Sequence, residues 1–194
     1  MQRTLTSVAI LLGAAVAAAH GDQRHFALDG TVKSGAGTRA ATLRVLCEPS
    51  SDGGAISLEL WVPEAFKRKD FDYDDFEGPD AVAGGRALSR CTASGPGSHL
   101  EIVAAAAGWY SGEDPDTFVF GVSQPSHQKG QVASLLQGIA STTAQLVWVQ
   151  SAFAAHTDAL RATFALDAAG AQQLRATVAP CLAPAAPAKA HGKP

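Results

Sequence analysis

Apolar and polar residues alternate most regularly in three places. Over residues 42–48, Leu43, Val45 and Cys47 fall on one side of an extended chain, and Thr42, Arg44 and Leu46 on the other. Over residues 55–62, Ile56, Leu58, Leu60 and Val62 oppose Ser57, Glu59 and Trp61. A period of two is the mark of a half-buried strand. The Pro-Ser-Ser-Asp-Gly-Gly run at 49–54 has turn-forming residues, so these two strands should form a hairpin. Over residues 160–166, Leu160, Ala162, Phe164 and Leu166 alternate with Arg161, Thr163 and Ala165, giving a third strand.

Weaker patterns predict further strands at 25–32, 86–94, 100–107, 117–122 and 146–149. Residues 108–116, GWYSGEDPD, read as a loop because of their breakers. Val132, Leu135, Leu136 and Ile139 share one helical face within residues 131–143. Asp167 can cap a helix in which Ala171, Leu174 and Val178 line up, with Pro180 ending it at Cys181. About eight short strands and one or two helices predict a mainly β fold, a small β-sandwich or open barrel with a C-terminal helix; α+β is the alternative.

The termini add a cellular address. Arg3 precedes an uncharged apolar run over 4–19 that ends in Ala17-Ala18-Ala19, the pattern of an export signal cut after Ala19. A membrane anchor needs about 20 apolar residues, so no transmembrane segment is expected in the mature chain. Residues 20–182 then form a single β-rich domain. Residues 183–194, APAAPAKAHGKP, lack an apolar pattern and read as a disordered tail. The protein is expected to be periplasmic or secreted. Three cysteines in an exported chain suggest one disulfide and one odd thiol, with three pairings open. The long 63–85 connection lets the strands of Cys47 and Cys91 become neighbours or face each other, and Cys47–Cys91 is the favoured pair.

Charge narrows the partners. Fifteen basic residues stand against 18 acidic ones, for a net charge of −3, which argues against nucleic acid. The most charged stretch is 67–80, KRKDFDYDDFEGPD. Asp70, Asp72 and Asp74 open like a calcium loop, but Asp75 stands where glycine is required and Ala81 where the closing glutamate belongs. In extended form, Phe71 and Tyr73 would pack inward while the carboxylates stay in water. Asp70, Asp72, Asp74, Asp75 and Glu77 are therefore candidates for binding a basic partner. Trp109 and Tyr110 are candidate contacts at a loop tip.

Catalytic patterns are thin. Ser111 lies in G-W-Y-S-G, which is not the G-x-S-x-G elbow. Neither a phosphate-cradling glycine motif nor a CxxC occurs, so no cofactor is expected. Cleavage after Ala19 would expose His20, whose amine and imidazole can jointly hold copper. His20-Gly21 resembles the start of lytic polysaccharide monooxygenases and related copper proteins, with His99 or His127 available as a second histidine.

Phe164, Leu166, Gly170, Leu174 and Cys181 form F-x-L-x3-G-x3-L-x6-C, a strand running into a helix that ends in cysteine. This is similar to the closing segment of small exported bacterial β-proteins of the invasion-associated locus B type and of some secretion-accessory proteins. The resemblance implies a non-enzymatic envelope protein of like architecture. The expected function is that of an exported, non-enzymatic envelope or secreted protein that binds a macromolecular partner, a protein or an envelope component. The alternatives are a copper protein or oxidative enzyme using His20, and an inhibitor or ligand-binding module presenting the acidic 70–80 insert. N-terminal sequencing of the purified protein tests the copper alternative, since any start other than His20 removes it.

Overall fold

A computed structural model describes residues 23–50, 53–68, 71–78, 88–151 and 159–184. The expected export signal, His20 and the tail from residue 185 onwards lie outside these residues. Nine strands form one antiparallel sheet: β1 (Arg24–Ser34), β2 (Gly37–Cys47), β3 (Ala55–Val62), β4 (Leu88–Gly95), β5 (Ser98–Ala105), β6 (Ala107–Tyr110), β7 (Phe118–Pro125), β8 (Ala144–Gln150) and β9 (Leu160–Leu166). A short helix α1 (Ala65–Arg68) follows β3, α2 (Gln131–Ile139) follows β7, and α3 (Ala168–Leu182) closes the chain. The fold is mainly β, as its alternating pattern predicts.

The strand order is β5-β4-β8-β9-β1-β2-β3-β7-β6. Strands β5 and β6 therefore stand at opposite edges, yet a single residue, the fully buried Ala106, separates them in the chain. Consecutive Cα atoms are about 3.8 Å apart, so the two edges meet here. The sheet is accordingly curled into a half-barrel.

Its inner face carries the buried half of each alternation. The hairpin of β2 and β3 pairs Cys47 with Ile56 and Leu43 with Leu60, and all four side chains are buried. Phe26, Phe118, Phe120, Trp148 and Phe164 join the same core, which α2 completes with Val132, Leu135, Leu136 and Ile139. Helix α3 adds Leu174 and Val178. Asp167 caps it as expected, its Oδ1 accepting from the Gly170 N–H at 2.7 Å. Pro180 does not end this helix, which runs on to Leu182. Proline removes the N–H that would reach the carbonyl four residues back; that carbonyl, Ala176 O, accepts from Arg24 Nη1 at 3.4 Å instead.

The cysteine expectation is corrected. Cys47 is bonded to Cys181, and Cys91 is a buried free thiol. Strands β8, β9 and β1 stand between β4, which holds Cys91, and β2, which holds Cys47. At about 4.8 Å per strand, that separation exceeds the reach of roughly 7 Å for bridged Cα atoms. Helix α3 packs against β1 and β2 and brings Cys181 to the end of β2, 5.8 Å away between Cα atoms.

Residues 108–116 are also corrected, because Gly108, Trp109 and Tyr110 belong to strand β6. Gly108 is there for close packing and not for a turn. A Cβ at that position would meet the Phe118 ring at 2.6 Å and the Phe76 carbonyl at 2.7 Å.

Non-reducing peptide mapping is expected to recover Cys47 linked to Cys181. Burial pushes the Cys91 thiol up to about 12, so a thiol reagent should modify it only after unfolding. Cys181→Ser should lower stability by roughly 2–4 kcal/mol in denaturant titration.

Candidate functional site

The acidic insert follows α1. Phe71, Tyr73 and Phe76 are buried, while Asp72, Asp74, Asp75 and Glu77 are exposed. The expected division, aromatics inward and carboxylates outward, is what the structure has. Phe76 stacks on Phe71 at 5.4 Å between ring centroids and meets Phe120 at 5.3 Å. Tyr73 reaches Phe118 at 5.2 Å. Arg39 fixes both ends of this packing, donating from Nη2 to the Tyr73 hydroxyl at 2.6 Å and from Nε to Pro63 O at 3.0 Å.

The insert's backbone departs from the extended course expected of it. Asp74–Phe76 form a 3-10 turn, and Gly78 N–H then donates to Gly108 O at 3.2 Å on strand β6. The turn breaks the alternation at Asp75, which is exposed next to Asp74. Among the described residues, no three His, Cys, Asp or Glu side chains are placed to hold a metal. Asp70 lies outside those residues.

Docking the insert on β6 places its carboxylates beside Tyr110. The Tyr110 hydroxyl donates to Asp74 Oδ1 at 3.0 Å. Phe66 of α1, 70% exposed, approaches the Tyr110 ring edge-on at 6.4 Å. Phe66, Phe71, Tyr73 and Tyr110 thus wall an open cavity of about 600 Å³ whose rim is Asp72, Asp74 and Asp75. Lys67 pairs with Asp116 at 2.5 Å, an exposed ion pair that ties α1 to the loop before β7.

Four of the expected partner-binding residues therefore converge: Asp72, Asp74, Asp75 and Tyr110. Glu77 is exposed nearby, in a bridge with Gly108. Trp109 does not join them. Successive side chains of a strand point to opposite faces, so Trp109 lies on the outer face of the sheet while Tyr110 faces the insert. Phe66 escapes a reading based on charge, and its only signal is an aromatic residue in a short helix just after the strand-ending Pro63.

The two histidines named as a second copper ligand lie in different settings, and His20 itself is outside the described residues. His127 has Nδ1 at 2.7 Å from Ala183 O and Nε2 at 3.3 Å from Pro49 O, so both ring nitrogens face backbone carbonyls. His99 shares a hydrogen bond with Ser94 on the β4–β5 hairpin. Ser111 braces its loop, its Oγ accepting from the N–H groups of Glu113 and Asp114 at 3.1 and 3.3 Å.

Comparison of the chain with protein-family models, with curated proteins and with solved structures finds no match.

Tyr110 reports the electrostatics of the cavity. Burial, the hydrogen bond to Asp74 and the charges of Asp74 and Glu77 raise it from the usual 10 to about 12. A raised phenol favours its neutral form in the folded state. Its contribution to stability is full below pH 10 and is lost as pH rises through about 12. Asp74→Asn should lower the Tyr110 midpoint in an absorbance titration of tyrosinate; an unchanged midpoint would show that Asp74 has no part in the shift.

Proposed function

We propose that the chain is an exported, non-catalytic binding domain that docks a basic macromolecular partner, a protein or an envelope component, at the cavity between α1, the insert and β6. The observation that carries this reading is the combination of aromatic walls with a carboxylate rim. Aromatic faces attract cations through their quadrupole, and carboxylates of one sign steer a basic partner toward the cavity. The packing of Phe71, Tyr73 and Phe76 in the core means the rim is held in place before binding. A preformed rim lowers the ordering cost of association.

One further observation supports the setting. A disulfide persists in oxidising compartments, and Cys47–Cys181 is one. Among the described residues no helix is long and apolar enough to cross a membrane. The likeness of residues 164–181 to the closing segment of small exported envelope proteins of the invasion-associated locus B type points the same way.

A lysine hexapeptide is a suitable probe, titrated by calorimetry at low and high salt. Binding is expected to weaken as salt rises. The triple variant Asp72→Asn, Asp74→Asn, Asp75→Asn should bind about tenfold more weakly or worse. Phe66→Ala should cost roughly two- to fivefold, the size of an exposed cation–π contact. Undiminished affinity in the triple variant would refute the proposal.

A further inference from the structure

The outer face of the sheet holds a second concavity, on the side away from the insert. Ala27, Arg44, Glu59 and Gly121 stand in one row across β1, β2, β3 and β7. Trp61, Val119 and Trp109 form the next row across β3, β7 and β6. The far edge of the Trp109 indole leans over Gly121, where a Cβ would meet Cη2 at 2.6 Å and Cζ3 at 2.8 Å. The indole can lie there only because residue 121 has no side chain. Between the two indoles Val119 is fully buried, although it lies on the outer face.

Charges in this row are largely balanced. The Arg44 guanidinium lies 3.5 Å from the Trp61 ring centroid and pairs with Glu113 at 3.3 Å. Glu59 is 6% exposed, and its Oε2 accepts from Trp61 Nε1 at 2.8 Å. Its other oxygen accepts no hydrogen bond from the described residues, and Trp109 Nε1 donates to none of them. These groups line an open cavity of about 680 Å³ that His25 also borders. Across the Arg44–Glu113 pair lies a second hollow of about 240 Å³, bordered by Thr42, Trp61 and Thr117. The two hollows make a groove rather than a single pit.

We propose that this groove is a binding site for a neutral glycan chain. An anionic ligand would meet Glu59 and Glu113, and a cationic one would meet Arg44. A neutral sugar avoids both penalties. Its hydroxyls donate to carboxylate oxygens and accept from the indole N–H, and its C–H face packs on the Trp109 ring. A peptide strand fits less well. Peptides add to sheets by pairing with an edge, whereas the floor of this groove is formed by β2 and β3, whose backbones are paired on both sides. The two-lobed shape suits a ligand of several linked rings. This site is independent of the basic-partner cavity, since it shares none of its residues with it.

The test is intrinsic tryptophan fluorescence. The chain has three tryptophans; Trp148 is fully buried on the inner face, so a change on titration reports Trp61 and Trp109. Cellotetraose, chitotetraose, maltotetraose and laminaritetraose are the probes. At least one is expected to give a saturable change in the millimolar range or tighter. Trp109→Ala and Glu59→Gln should each weaken it by about tenfold or more, Glu59→Gln through loss of a charge-assisted hydrogen bond. Near-ultraviolet circular dichroism checks that both variants keep the wild-type fold. The Asp72, Asp74, Asp75 triple variant should bind the sugar as the wild type does, which separates this proposal from the basic-partner site. No saturable response to any of the four sugars, or wild-type affinity in both folded variants, would overturn it.

Discussion

One covalent constraint shapes the molecule: two strands at opposite ends of a nine-strand order are consecutive in the chain, joined through Ala106. A flat or gently twisted sheet cannot satisfy that connection. The sheet must curl until the ends of its two edge strands meet at Ala106, and the hollow this creates has to be filled with apolar side chains. The strands supply one layer of these; α2, α3 and the aromatic insert supply the rest.

Strand β6 is where this geometry becomes chemistry. It has four residues, and two of them, Trp109 and Tyr110, are aromatic neighbours that alternation sends to opposite faces. One leans over Gly121 beside Arg44 and Glu59; the other hydrogen-bonds to Asp74 in the insert. The two proposed binding surfaces therefore share a strand while differing in charge and in the partners they suit. The protein could then hold a basic macromolecule and a glycan on opposite sides of one sheet.

Much of this was legible in the chain because it is local. The period of two placed β2, β3 and β9, and Asp167 marked the start of α3. The same alternation already put Arg44, Glu59 and Trp61 on the outer face. The inward aromatics of the insert also followed from residue order. What stayed hidden depends on contacts remote in sequence. Gly108 looks like a breaker, but its missing side chain makes room for Phe118 and Phe76. The partner of Cys47 depends on where a helix more than a hundred residues later comes to rest, and no spacing rule encodes that. The convergence of Tyr110 with the insert likewise needs the pairing of β6 with β7 before it can be seen.

The odd cysteine has a consequence for the permanence of the fold. Disulfides rearrange when a thiolate attacks a bonded sulfur, and a chain with one bridge and one spare thiol carries its own attacker. Here that thiol is sealed in β4, opposite Trp148 on β8. Burial keeps it protonated, and a protonated thiol is no nucleophile. The bridge that pins α3 to the sheet is thus protected from internal reshuffling by the packing of strands four positions away in the same sheet, so covalent and non-covalent order guard each other.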